Sequence, residues 1–230
     1  MEKGLFIVLD GNDGSGKATQ AKLLKDYFAG KGIMCEKVDF PAYDQNFFGA
    51  FIGECLAGQH GDFVTMDPKI ASVLYAADRF ESSMKIRQLL NAGTMVIADR
   101  YASSNQIHQG GKIADPAERE SFLRWLERME FEVFGIPRPN AVLYLRVPLE
   151  TSLALLQEKR AVKSNVLKEG EKDTVESDMA YLENSITTAD WLLGNQKNWK
   201  AIDCMDGETL RTREDIHADV VRAVEDLLIS

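Results

Sequence analysis

GNDGSGKATQ, residues 11–20, is the stretch that decides the fold. Gly11, Gly16 and Lys17 fall at the spacing G-x-x-x-x-G-K, and the apolar run LFIVL (5–9) ends just ahead of them. A buried strand, a glycine-rich loop and a helix from Lys17 to about Gly30 form the context this motif requires. The glycines let successive backbone N–H groups turn inward as an anion nest, and the helix N-terminus adds its positive dipole end. Lys17 then reaches the outer phosphates of a nucleoside triphosphate and neutralises charge as a phosphoryl group moves. The whole loop, Gly11, Asn12, Asp13, Gly14, Ser15, Gly16, Lys17, Ala18 and Thr19, is therefore the expected phosphate-donor site.

Ala18 departs from the pattern, because a serine or threonine hydroxyl there would bind magnesium and a methyl group cannot. Thr19 lies about 100° further round the helix and is no obvious substitute. Magnesium keeps several waters and needs only one or two carboxylates beside the substrate phosphates. Asp13 in the loop and Asp99, at the end of the strand TMVIA (94–98), are the expected carboxylates.

The rest of the chain alternates short apolar runs with long helical patterns. KVDF (37–40), TMVIA (94–98), AVLYLRV (141–147) and a weaker WKAID (199–203) join LFIVL as expected strands. SVLYAADRFESSMKIRQLLNAG carries Val73, Leu74, Ala77, Phe80, Met84 and Leu89 at helical spacing and ends at Gly93, a C-cap. FLRWLERMEFEVFG sets Phe122, Leu126, Met129 and Val133 on one face. The final helix turns Ile216, Val220, Ala223 and Leu227 inward, with Thr212 as N-cap. Such alternation predicts a three-layer α/β fold, a mostly parallel sheet of about five strands flanked by helices. One domain over 1–230 is expected, without repeats or low-complexity linkers.

A formal net charge of -9 disfavours nucleic-acid or anionic-membrane partners but permits a local basic pocket. The three cysteines, Cys35, Cys55 and Cys204, show no metal spacing and read as reduced buried thiols. MEKGLFIVLD has no apolar signal region, which predicts a cytoplasmic protein. QEKRAVKSNVLKEGEKD (157–173) is highly charged and reads as a solvated loop. Beside a phosphate loop it reads better as a mobile lid carrying Lys159, Arg160, Lys163 or Lys168 over the phosphates.

After TMVIA come Asp99 and Arg100, a metal-organising carboxylate and a cation suited to a second phosphate. GNDGSGKATQ, FPAY (40–43), YAADR (75–79) and DRYASSNQ (99–106) together resemble the thymidylate kinase family. CLAGQHGD (55–62) and EFEVFGIPRPNAVLYL (130–145) extend the likeness, which is firm from Leu5 to about Leu145 and looser beyond.

The resemblance implies transfer of the γ-phosphate of ATP to dTMP, with Mg2+ as cofactor and a homodimer as the assembly. It places Asp13 near the acceptor sugar, phosphate and metal, Phe40 in the nucleoside pocket, and Tyr43 near the acceptor phosphate or metal. Tyr75 falls where a ring stacks on thymine, Arg79 at a base carbonyl, and Arg100 at the acceptor phosphate. Ser104 and Asn105 match the readers of the base edge. Arg160 matches a lid arginine on the donor phosphates, and Glu176 an acidic residue facing the nucleoside. His108 stands where this branch often has a tyrosine near the sugar, and Asp10 where glutamate is commoner. Lys17, Asp13, Arg100 and Arg160 are the expected catalytic groups. The helices at 67–92 and 121–134 have apolar faces that fit either a subunit interface or a monomer's core. Taken singly, Tyr75 and Phe40 read as core aromatics, and Arg79 as a partner for Asp78 or Glu81. Other monophosphate acceptors, a P-loop ATPase and an inactive nucleotide-binding homologue are the alternative functions.

Overall fold

A computed structural model describes the backbone of residues 3–164 and 179–229, and the side chains of 3–158 and 179–229. The first strand, β1 (Phe6–Gly11), is buried throughout, and its alternation feeds two separate cores. Phe6 and Val8 point to one face of the sheet, Ile7 and Leu9 to the other. Helix α1 (Lys17–Gly30) leaves the loop and packs Leu24 and Phe28 on the second face. Strand β2 (Cys35–Asp39), helices α2 (Phe47–Leu56) and α3 (Pro68–Asn91), and strand β3 (Met95–Asp99) come next. Then come α4 (Ala102–Gly111), α5 (Pro116–Arg128), a single π-helical turn (Met129–Val133) and β4 (Ala141–Arg146). Helices α6 (Leu149–Ser164) and α7 (Met179–Asn195), strand β5 (Trp199–Asp203) and helix α8 (Arg213–Ile229) complete the main order. A small antiparallel ribbon of β6 (Met205–Asp206) and β7 (Thr209–Leu210), which the sequence did not announce, precedes α8.

The five-stranded sheet runs β2-β3-β1-β4-β5, and every pairing is parallel. Apolar residues of α4, α5 and α7 cover one face, and α1 with α8 the other, as three-layer packing predicts. The register sets Leu9 beside Asp99, so the loop after β1 and the turn after β3 leave the sheet side by side. Ligands of open parallel sheets bind at these carboxyl ends. All five expected strands form, and Thr212 Oγ1 caps α8 by accepting from the Asp215 N–H at 3.1 Å. Among the described residues, no helix is long and apolar enough to cross a membrane.

Two helical faces differ from the sequence pattern. In α3 the apolar stripe is turned outward: Phe80 is 52% exposed and Met84 70%, with Ile70 and Val73 also exposed. The inward face instead holds Ala71, Ala76, Ile86 and two charged residues, Asp78 and Arg79. In α5 the face of Phe122, Leu126 and Met129 is buried as expected, but Val133 is 73% exposed. The π turn is the cause, since its wider hydrogen-bonded loop inserts a residue and rotates the residues after it out of the α-helical register. Glu130, at helical spacing from the buried Leu123 and Leu126, is itself buried at 1% exposure. Ala223 and Leu227 of α8 are only partly buried; Val221 and Val224 complete the inner face.

Candidate active site

The loop between β1 and α1 closes back on itself. Lys17 Nζ donates to the carbonyls of Gly11 at 2.9 Å and Asn12 at 2.8 Å, and lies 3.7 Å from Asp13. Burial pushes its pKa down to about 8, with Arg100 nearby adding to the shift. Gly14 has φ 88°, and a Cβ there would stand 2.2 Å from the Ser152 carbonyl, so only glycine lets the loop pass this close to α6. Ala18 is exposed and offers no donor atom. A hollow beside the loop is lined by Gly16, Thr19, Leu155, Arg211, Arg213 and Ile216.

On the other side of the loop stands Arg100, the one non-glycine residue with positive φ (66°) among those described. Such a backbone costs about 1–3 kcal/mol and persists where the surroundings over-determine it. The surroundings here are four side chains. Arg100 Nη2 donates to Asp13 Oδ1, and Nη1 donates to Ser104 Oγ at 3.2 Å and to His108 Nε2 at 3.0 Å. Asp10 lies 3.7 Å behind. It is fully buried and accepts from the Gly11 N–H at 2.8 Å, Ser103 Oγ at 2.6 Å and Ser104 Oγ at 2.8 Å. The Asp10 carboxylate thereby ties the loop to the start of α4.

Electrostatics follow from this packing. The Arg100 guanidinium holds the Asp13 carboxyl well below the usual carboxylate range. Burial works against the charge on Arg100, but Asp13, Asp10 and Asp99 raise its pKa overall. Burial pushes Asp99 up. Arginine only donates, so His108 Nε2 must accept and the ring proton sits on Nδ1. Burial, and then Arg100, press the His108 pKa down to about 4, which keeps the ring in that neutral form.

Next to Arg100 a cleft of about 210 Å³ opens between α3 and α4. Asp13, Phe40, Tyr43, Tyr75, Arg79, Arg100, Ser104, Asn105 and His108 all line it. Thus nine residues predicted from scattered motifs meet in one place. Phe40 is buried and packs its ring edge on Tyr101, with centroids 5.4 Å apart. Tyr75 leans on Phe63 at 5.8 Å, and burial raises its hydroxyl pKa. Arg79 pairs with neither Asp78 nor Glu81: Nε donates to Glu130 Oε2 at 3.0 Å, and Nη2 donates to Glu130 Oε1. Asp78 instead accepts from the Ala42 N–H at 3.1 Å and Asn46 Nδ2 at 2.8 Å. Ser104 gives its hydroxyl proton to Asp10 and faces Arg100. Asp99 ends β3 beside the loop but is not in the cleft wall. Arg160, in the last turns of α6, and Glu176 fall outside the residues whose side chains are described. So does the outer part of the expected lid; residues 157–164 are the end of α6.

Sequence reasoning passed over Glu130, Gln109 and Tyr181, which also serve this site. Gln109 and Tyr181 line the cleft, and Tyr181 stacks on His108 with centroids 6.3 Å apart. Glu130 stands at helical spacing from the buried Leu123 and Leu126, but a carboxylate there carries no functional signal in the sequence alone.

Comparison with known proteins agrees with this geometry. A family profile described as thymidylate kinase matches residues 9–209. The chain belongs to the thymidylate kinase family. Members of this family move the γ-phosphate of ATP onto dTMP, and the enzyme is therefore an ATP-dependent dTMP kinase. A probable thymidylate kinase of Thermococcus gammatolerans is 30% identical over 236 residues, covering 99% of both chains. The thymidylate kinase of Mycobacterium tuberculosis is 31% identical over 146 residues, covering 64% of this chain and 67% of its own. The solved thymidylate kinase of Candida albicans has the same fold, with a TM-score of 0.74 over 97% of this chain and 92% of that one at 21% identity.

The neutral His108 is open to measurement. NMR signals of its imidazole are expected to stay in the neutral form from pH 8 down to pH 5, because its pKa is about 4. A protonation step near histidine's ordinary value of about 6.5 would show that Nε2 is not held as an acceptor for Arg100.

Proposed function

We propose that ATP lays its phosphates on the loop after β1 while dTMP fills the cleft between α3 and α4, with its phosphate on Arg100. The observation that carries this reading is the position of Arg100, which touches the loop through Asp13 and lines the acceptor cleft. One guanidinium thereby spans the two substrates. The acceptor phosphate has a second pKa of about 6 and is already a dianionic nucleophile near neutral pH. No general base is needed, and catalysis is positioning plus charge neutralisation by Lys17 and Arg100. On phosphate binding, Lys17 exchanges the carbonyls of Gly11 and Asn12 for phosphate oxygens, which favours its charged form.

In the cleft, Tyr75 and Phe40 offer ring faces and edges to the base, and Asn105 and Arg79 its polar contacts. His108 acts by accepting from Arg100. dUMP presents the same hydrogen-bonding edge as dTMP, so only the methyl group separates them, a difference worth about 1–3 kcal/mol. In this reading the enzyme works as one catalytic domain, with a lid at about 157–173 bringing Arg160 to the donor phosphates, and with Glu176, after the lid, facing the nucleoside. Closure excludes water and suppresses hydrolysis of ATP. Its location is the cytoplasm.

Mg2+ fits the hard oxygen donors available, Asp13 and Asp99, both close enough to Lys17 to raise its pKa. Among the described residues no group of three or more acidic, histidine or cysteine side chains is clustered for a metal. The ion would then rest on these carboxylates, the substrate phosphates and water, supplying charge neutralisation at the transferring group. Ala18 is compatible with that arrangement, since water takes the place of the missing hydroxyl.

The exposed stripe of Ile70, Val73, Phe80 and Met84 supports a homodimer, because their spacing sets all four on one side of α3. Phe80 also meets Phe134 at 5.6 Å, which continues the apolar surface past the π turn.

Three outcomes check this reading. Lys17→Ala and Arg100→Ala should each lower kcat for dTMP by about 10³-fold while the fold stays intact by circular dichroism. Near-normal turnover in either variant, or ADP release without an acceptor, contradicts the assigned site. Ala18→Ser should keep kcat within about threefold and shift only the magnesium concentration needed for half-maximal rate; loss of activity would rule out water in place of the hydroxyl. Finally, Phe80→Glu combined with Met84→Glu should turn a dimer into a monomer by sedimentation velocity, whereas an unchanged mass would place the interface elsewhere.

A further inference from the structure

Glu130 lies outside the loop and outside the cleft wall, yet both polar residues facing the base depend on it. Its carboxylate accepts two hydrogen bonds from Arg79 and one from Asn105 Nδ2 at 2.9 Å. Asn105 Nδ2 also donates to the Ser72 carbonyl at 3.1 Å. A carboxylate and a carbonyl only accept, so the NH₂ end of Asn105 must face them. Both amide hydrogens are thereby taken, and the oxygen is the only polar atom left for a ligand. Arg79 gives a third N–H to the Tyr101 carbonyl at 3.4 Å, which leaves two of its five for the cleft.

We propose that Glu130 is a positioning residue for acceptor recognition, fixing Asn105 as a pure acceptor and Arg79 as the donor beside it. This rests on the reading that these two side chains face the base. An acceptor next to a donor complements the N3–H and O4 of thymine. Cytosine presents the reverse order, an unprotonated N3 and an N4 amine, and so sets acceptor against acceptor at Asn105 and donor against donor at Arg79. The specificity for the base therefore originates in a residue that never touches it. Glu130 stands four residues after the buried Leu126 and seven after the buried Leu123, on the inward side of this helix as it enters the π turn. Glu130, Arg79 and Asn105 are all nine-tenths or more buried, so the pair and the amide are held in a medium where the wrong orientation is costly.

The test is Glu130→Gln, which keeps the shape but places a donor NH₂ against Arg79 or Asn105. Expected are a KM for dTMP raised about tenfold, kcat within about threefold, and a dTMP-to-dCMP ratio of kcat/KM lowered at least about tenfold. In an Asn105→Ala background the same substitution should narrow that ratio less than it does in the native enzyme, since only the hold on Arg79 is left to lose. Should E130Q fail to fold, Glu130→Asp keeps the buried charge against Arg79 but draws back from Asn105, and the same narrowing is expected. An unchanged ratio, or equal losses for dTMP, dCMP and ATP, would reduce Glu130 to a structural role. If the native enzyme itself shows no preference for dTMP over dCMP, the base-facing reading of Asn105 and Arg79 is what fails.

Discussion

The hold on Arg100 is the constraint on which the rest of the site depends. Asp13, Ser104 and His108 each take a hydrogen bond from it, and Asp10 stands behind at 3.7 Å. A guanidinium cannot lose its proton in such a setting, so it is a permanent positive charge between the loop after β1 and the cleft. The left-handed backbone at Arg100 is the local cost of that placement. Parallel pairing of β1 with β3 makes it possible, because Leu9, near the end of β1, pairs with Asp99, the last residue of β3. Sheet topology thus decides which two loops stand side by side.

Asp10 shows how the scaffold and the chemistry are joined. One buried carboxylate accepts from the first loop N–H and from two serines at the start of α4. Moving the loop relative to α4 would leave these hydrogen bonds unmade in a buried place, at about 1–3 kcal/mol for each group. The loop after β1 and the helix lining the cleft therefore keep a fixed separation.

The strands and the loop could be read from sequence because both depend on local signals. Buried parallel strands are short apolar runs, and the loop's glycines answer to backbone geometry at single positions. Nine cleft residues were legible for a different reason: several motifs, each weak alone, were read together through a family likeness. What failed was the step from periodicity to environment. The stripe of Val73, Phe80 and Met84 is a true helical period, but periodicity reports an apolar face and not what covers it. Arg79 and Asp78 went the other way, as charged residues buried through hydrogen bonds with distant partners. Val133 was turned outward by one π turn, for which no residue in MEFEV gives a local signal.

The central claim is that the cleft between α3 and α4 is the acceptor site and that Arg100 joins it to the donor loop. A crystal structure with dTMP and a non-hydrolysable ATP analogue tests this most directly. The expected result has thymine N3 within hydrogen-bond distance of Asn105 Oδ1, O4 toward Arg79, and the acceptor phosphate on Arg100. A base bound outside this cleft, or an acceptor phosphate that does not touch Arg100, would contradict it.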